Sequence, residues 1–233
     1  MRNKPNLTVV LPSYREAENL KVLLPRLTAT LRNIERSAEI LVVDTVQPLD
    51  ETPEVCRMYG ARYINRTGGN SFGAAVRSGI KEAQGIFILF MDADGSHPPE
   101  FIPNMLKYMD DYDIVIASRY VEGGYTENSN ILIFMSRVLN IIYAAVLNIR
   151  CNDVSNSFKL YRADLLKKLE LYCDNFDIVE EMIYKICRAS DNNTKIIEVP
   201  FTFKKRMFGD TKRNLILFTM TYIITLLKLR FGR

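Results

Sequence analysis

Apolar positions in the first half of the chain follow two alternating periods. Short apolar runs at Leu7–Leu11, Glu39–Asp44, Arg62–Asn65, Ile86–Met91 and Asp113–Ser118 predict strands, the first of them ended by Pro12. Between them the spacing becomes helical. Glu16–Asn33 places Leu20, Leu23, Leu24, Leu27 and Leu31 on one face, and Glu51–Tyr59, Ser71–Gln84 and Pro98–Met109 predict further helices. Ser71 is a candidate cap, and the prolines at 98 and 99 are tolerated in a first turn. The run Ile86–Met91 is apolar at every position, which predicts a strand covered on both faces. Strands alternating with helices imply an α/β domain around a parallel, doubly wound sheet.

The second half departs from this rhythm. Asn130–Asn148 predicts a long, very apolar helix. Ser157–Tyr161 and Lys195–Phe203 read as strands, and Ala163–Leu169 and Ile178–Ala189 as helices. The last segment, Asn214–Phe231, is apolar with a few threonines. Its core Leu215–Leu229 is 15 residues, short of the ~20 that cross a bilayer. Thr221, Thr225 and Lys228 share one helical face and leave the rest apolar, which predicts an amphipathic helix in the membrane interface; the alternative is a core helix covering the sheet. The organisation expected is a domain over 1–213 followed by this helix over 214–233.

Charge sharpens that expectation. The chain of 233 residues carries +4, but from Lys204 onward there are eight basic residues against the single acid Asp210. A basic, apolar terminus meets phosphate, here assigned to a membrane surface with no nucleic acid partner. The four cysteines show no CxxC pairing and there is one histidine, which argues against a zinc site or a disulfide framework. The N-terminal residues enter a strand with no apolar signal region, so a cytoplasmic protein is expected.

Candidate chemistry lies where the predicted strands end, because parallel sheets bind ligands at their carboxyl edge. Asp44 follows the second strand, and Asp92 and Asp94 follow the fourth, two residues apart in an extended segment and so able to converge. Two carboxylates with a diphosphate make an oxygen cage for Mg2+ or Mn2+. No GxGxxG follows the first strand and no GxxxxGK[ST] occurs, which argues against a dinucleotide-binding dehydrogenase and a P-loop nucleotidase. The stretch Gly68-Gly69-Asn70-Ser71-Phe72-Gly73 admits two readings: an anion-binding helix entry, or a turn with close packing at Gly73 and Gly79. His97 reads as a structural residue ahead of a general base.

The order Leu11-Pro12-Ser13-Tyr14-Arg15-Glu16-Ala17-Glu18-Asn19-Leu20, then Val42-Val43-Asp44, then Met91-Asp92-Ala93-Asp94-Gly95-Ser96-His97-Pro98-Pro99-Glu100 resembles family 2 glycosyltransferases. Ser118-Arg119-Tyr120, Ser136-Arg137, Asn152 through Arg162, and Phe203–Lys212 resemble its polyprenyl-phosphate branch, which includes dolichyl-phosphate mannosyltransferase. The resemblance implies a GT-A nucleotide-sugar-binding fold with a mostly parallel central sheet. It implies that Pro12, Tyr14 and Glu16 hold the nucleoside, that Asp44 contacts base and ribose, and that Asp92, Asp94 and Ser96 serve metal and diphosphate. It further implies that Arg119 and Arg137 lie near phosphates, and that Arg206 and Lys212 belong to a loop over the site. One departure stands out. Where the family reads Asp-Asp-Gly-Ser-x-Asp-x-Thr, this chain reads Asp44-Thr45-Val46-Gln47-Pro48-Leu49-Asp50-Glu51-Thr52, leaving Asp50 and Thr52 to match the later Asp and Thr.

The function expected is inverting transfer from a GDP- or UDP-linked sugar to a polyprenyl phosphate at the cytoplasmic membrane face. Asp94, Arg119 and Arg137 are the candidate catalytic residues. A phosphate monoester is largely ionised at neutral pH and needs no strong base. One rival is transfer to a sugar hydroxyl, with Asp153, Glu180 or Glu181 as base. The other is a non-catalytic nucleotide-sugar-binding scaffold.

Overall fold

The computed structural model describes residues 5–209 and 215–231, and their side chains except those of 215–221. The expected strands and helices of the first half are present: β1 (Leu7–Pro12), α1 (Ala17–Arg32), β2 (Ala38–Asp44), α2 (Thr52–Tyr59), β3 (Arg62–Asn65), α3 (Phe72–Glu82), β4 (Phe87–Phe90), α4 (Ile102–Leu106, entered through a 3-10 turn at Pro99–Phe101) and β5 (Ile114–Ser118). Then come β6 (Tyr125–Thr126), α5 (Asn130–Leu147), β7 (Lys159–Arg162), α6 (Ala163–Leu166), α7 (Ile178–Ala189), β8 (Ile196–Pro200), β9 (Thr202–Phe203) and α8 (Leu215–Phe231).

The seven-stranded sheet has the order β3-β2-β1-β4-β7-β5-β8, with β6 and β9 forming a separate pair. The sheet is mostly parallel, as expected, with one correction to the purely parallel rhythm. β7 runs antiparallel to both β4 and β5, pairing Leu89 with Leu160 and Val115 with Leu160. Nothing in the apolar pattern of β7 carries its direction, because period-2 alternation is the same read either way.

Side chains alternate across the sheet into two cores. Val9, Leu11 and Leu89 meet Leu20, Leu23, Leu24 and Leu27 of α1 together with Val55, Ile102 and Met105. Val10, Leu41, Val43, Ile88 and Phe90 meet α3, α7 and the inner faces of α5 and α8. The helical leucine face read from the sequence is thus buried, with Leu31 packed at its edge. Ser71 caps α3, its Oγ accepting the Ala74 N–H at 3.1 Å.

The second half supplies an inversion. The inward residues of α5 are Asn140, Tyr143 and Leu147, whereas Ile131, Phe134 and Ile141 are about two-thirds exposed or more. Asn140 donates to the Ser136 carbonyl and the Ser155 hydroxyl and accepts the Ser155 N–H. In α8, Tyr222, Thr225 and Leu229 face inward while Ile223, Ile224, Leu227 and Phe231 are exposed. The Tyr143 hydroxyl donates to the Tyr222 carbonyl at 2.6 Å, and the Thr225 hydroxyl donates to the Asp177 carboxylate. Thr225 of α8 is therefore protein-facing. Thr221 has no described side chain, and Lys228 is exposed. Among the described residues α5 alone is long and apolar enough to cross a membrane, with a mean hydropathy of 1.8 and 17% of it buried.

Candidate active site

The carboxyl ends of β1 and β4, with Arg66 just past β3, open into a cavity of about 1280 Å3. Its polar end is lined by Pro12, Tyr14, Glu16, Asp92, Asp94 and Ser96. Its apolar end runs between α5 and α8, past Leu139, Ile142, Tyr143, Phe176, Tyr222 and Leu226.

Asp92 and Asp94 leave β4 in a turn held from several sides. The Asp92 N–H donates to His97 Nδ1 at 3.0 Å, and the Asp92 carboxylate accepts the Ser157 hydroxyl at 2.9 Å. His97 is fully buried, stacked on Phe158 at 4.7 Å with Phe201 and Phe203 edge-on. Burial lowers its pKa against the pull of Asp92 and Asp94, so the ring is a neutral acceptor that fixes the turn. Asp94 Oδ1 accepts both the N–H and the hydroxyl of Ser96, at 3.0 and 2.6 Å. Burial pushes the Asp94 carboxyl up, but the two Ser96 bonds and the nearby Arg206 guanidinium outweigh it and hold the pKa below the usual range. Gly95 between them is left-handed (φ 83°), and a Cβ there would strike the Met207 side chain. That contact is what a glycine permits.

The segment 204–209 closes over this turn. Lys204 and Met207 donate backbone N–H groups to the carbonyls of Ser96 and Asp94, at 3.1 and 3.0 Å. The Arg206 guanidinium pairs with both oxygens of Glu16, at 2.7 and 2.6 Å, and with Asp94 Oδ2 at 3.3 Å. Asn19 exchanges bonds with the Phe208 backbone and donates to Glu16 at 2.6 Å. Lys212 lies outside the described residues.

The donor set suits a hard cation. Asp92 and Asp94 are part-exposed carboxylates at one strand end with a hydroxyl beside them, and Mg2+ and Mn2+ favour such oxygens. Among the described residues no three His, Cys, Asp or Glu side chains converge. A cation here would therefore take its remaining oxygens from a ligand and water.

Asp44 is fully buried at the end of β2 and does not line the cavity. Its carboxylate accepts the Tyr63 hydroxyl at 3.1 Å, and burial raises its pKa against that bond and one from Thr45. In the segment that departs from the family, Thr45 is also buried and donates to the Gln47 carbonyl at 2.6 Å. Asp50 accepts the N–H of Ala17 and of Thr52, so it starts two helices.

Arg119 lines the cavity, forked onto Asp153 at 2.8 and 2.7 Å and bonded to the Ser155 hydroxyl at 3.0 Å. Its guanidinium stands near the rings of Tyr120 and Phe203. Arg137 is exposed and stacks on the other contact of Tyr120, 5.4 Å from its centroid. The apolar helix around it predicts a buried cation that would meet an acid, a carbonyl or a phosphate. The structure corrects this, because the outer side of α5 is open.

The glycine-rich stretch is resolved in favour of close packing at its far end. A Cβ on Gly73 would overlap the Cys173 carbonyl, and the Gly73 N–H already donates to Asp174. The three candidate bases of the hydroxyl-transfer rival are all committed or out of reach. Asp153 holds Arg119. Glu181 accepts the N–H groups of Tyr172 and Cys173 and pairs with Lys185 at 2.7 Å. Glu180 is fully buried off the cavity, its pKa pushed up to about 8 by burial.

Sequence reasoning missed Ser157, which orients Asp92 from inside a quoted motif, and Arg66. The latter sits one residue past the third strand, at the same edge as the acids, and that placement was the available signal.

The description Glycosyl transferase family 2 matches residues 8–170. A dolichol-phosphate mannosyltransferase of Pyrococcus furiosus is 34% identical over 88% of this chain, which spans 58% of that relative's length. A polyprenol monophosphomannose synthase of Mycolicibacterium smegmatis is 30% identical over 88% of this chain and 79% of its own. An undecaprenyl-phosphate mannosyltransferase of Micrococcus luteus is 30% identical over 87% and 85%. Among solved structures, glucosyl-3-phosphoglycerate synthase from Mycobacterium tuberculosis, in complex with Mn2+, UDP and glucosyl-3-phosphoglycerate, superposes with a TM-score of 0.71. The match is 16% identical and covers 97% of this chain and 80% of that one.

Proposed function

This chain belongs to glycosyl transferase family 2 and has its GT-A fold, and from that premise we propose that it transfers a sugar from a nucleoside-diphosphate sugar to a polyprenyl phosphate at the cytoplasmic face of a membrane. The observation that carries the reading is the two-ended cavity. Acids and strand ends form one end, and the other runs between two helices whose apolar sides face outward. A lipid phosphate needs that combination, a polar reaction centre continuous with an apolar exit.

In the reaction a phosphate oxygen of the lipid attacks the anomeric carbon, the bond to the diphosphate oxygen breaks, and the configuration inverts. Asp92 and Asp94 would hold a divalent cation, with Ser96 orienting Asp94, and that cation supplies charge neutralisation to the departing diphosphate. Pro12, Tyr14 and Glu16 serve the nucleoside side, while Asp44 is buried off the cavity. Arg119, held in place by the fork to Asp153, serves the phosphates, with Arg137 near the same Tyr120 ring. Arg206 approaches from the covering segment, and Lys212 is assigned to the same basic loop from the sequence motif. The commitment of Asp153 and Glu181 to ion pairs, and the burial of Glu180 away from the cavity, argue against a sugar-hydroxyl acceptor.

The test is a screen of GDP- and UDP-linked sugars against a short polyprenyl phosphate and a soluble glycan, with Mn2+ or Mg2+. Transfer to the lipid phosphate is expected. Transfer to the glycan alone overturns the acceptor, and no turnover with any donor leaves a binding scaffold.

A further inference from the structure

Arg66 follows the last residue of β3 and is almost fully buried at the polar end of the cavity. An arginine has five N–H donors in a rigid fork, and here every one goes to a backbone carbonyl. Nε donates to Asp44 at 2.9 Å. Nη1 donates to Asn70 at 3.1 Å and Ser71 at 3.0 Å. Nη2 donates to Ser13 and, at 3.4 Å, to Val43. No carboxylate is among these partners.

Those carbonyls belong to three segments. Ser13 follows β1, Val43 and Asp44 end β2, and Asn70 and Ser71 form the turn entering α3. The carbonyls of Val43, Asp44 and Ser71 already accept the backbone N–H groups of Ser13, Arg66 and Ala75, so the guanidinium adds a second bond to each and ties the three segments through one group. The same rim is tied by the Val46 N–H to the Asn70 side chain at 2.8 Å, and by the Asn65 side chain to the Thr45 carbonyl at 2.7 Å. The segment that departs from the family after Asp44 is thus held from the β3 side.

We propose that Arg66 is the positioning residue of the donor's nucleoside subsite, its guanidinium clamping the ends of β1 and β2 to the turn before α3. The inference rests on the donor reading above. With all five donors spent on main chain, Arg66 does not touch the donor. It sets where Ser13-Tyr14 and Asn70, which line the cavity, stand around it. Lysine keeps the charge and much of the reach but has one nitrogen, which cannot span three segments.

Arg66→Lys separates the fork from the charge. UDP and GDP are titrated by calorimetry with Mn2+ present, and Mn2+ alone is followed by its paramagnetic resonance signal. Expected in Arg66→Lys is a loss of nucleoside diphosphate affinity of roughly tenfold or more. Mn2+ binding at Asp92 and Asp94 stays unchanged, and in turnover the donor KM rises with kcat retained. Asn70→Ala, which cuts the second tie of the same rim, shifts affinity the same way by less. A merely structural arginine lowers the melting temperature and leaves the affinity of the folded protein at the wild-type value, which overturns the proposal. Should the wild-type protein bind neither UDP nor GDP, the donor reading itself falls and takes this inference with it.

Discussion

On the α1 side of the sheet, four leucines of one helix point inward at full burial and the charges of that helix point to water. On the α5 and α8 side, asparagine, tyrosine and threonine point inward and the isoleucines and phenylalanines point out. The inward polar side chains of the second region are stabilised by hydrogen bonds, made by Asn140, Tyr143 and Thr225. The regions differ in what lies outside. Water suits the first arrangement, and a bilayer interface suits the second, where outward apolar side chains gain by immersion. A patch of this size on a soluble face would otherwise be an aggregation hazard. In the proposed function the donor end of the cavity lies at the strand ends beside the start of α1 and the lipid end between α5 and α8, so each can be broken without the other.

The largest expected effect is on the donor side. Asp94→Asn should abolish transfer, because losing a ligand at the charge-bearing centre costs several kcal/mol, on the order of 3 or more. Circular dichroism should show the fold intact. Near-normal turnover, or full activity in excess EDTA, counts against the site.

The matching break on the lipid side is Phe134→Glu with Ile141→Glu, both on the outer face of α5. Each immersed side chain contributes about 1.5–3 kcal/mol, so cosedimentation with anionic liposomes should be lost while nucleoside diphosphate binding is kept. Liposome binding that survives both changes sinks the interfacial reading of this face.

Glu180 sharpens the contrast from within. It lies under the inverted helices, facing Asp177 on its own helix, Lys159 and Tyr161 of β7, Tyr143 of α5 and Tyr222 of α8. Burial raises its pKa from 4.5 to about 8. The folded state therefore holds its proton more tightly than the unfolded chain. Stability from this group is complete below pH 4.5 and is lost as the pH climbs toward 8. Glu180→Gln should raise the melting temperature at pH 8 by the equivalent of about 2–4 kcal/mol and have little effect at pH 4. A mutant advantage that does not grow with pH argues against a buried carboxyl.

The smallest effect is on the seam between the two helices. Tyr143→Phe removes the bond to the Tyr222 carbonyl and should cost about 1 kcal/mol. Hydrogen exchange in α8 should quicken while the α1 side stays as it was. Equal quickening in both regions would mean that the seam is not a local feature.

The sequence by itself carried the elements of the first half nearly to the residue. There, propensity, period and burial agree, as in Leu20, Leu23, Leu24 and Leu27 or in the apolar run of β4. It also placed Asp44, Asp92 and Asp94 at strand ends, since position along a parallel strand is a local property. Three things were decided only in three dimensions. The direction of β7 depends on neighbours far along the chain, and alternation is blind to it. The inward face of α5 and α8 depends on partners such as Ser155 and Asp177, so an apolar helix alone does not say which side meets protein. The fork of Arg66 exists only where β1, β2 and the turn before α3 come together, and no spacing in a linear chain records a bond to a carbonyl.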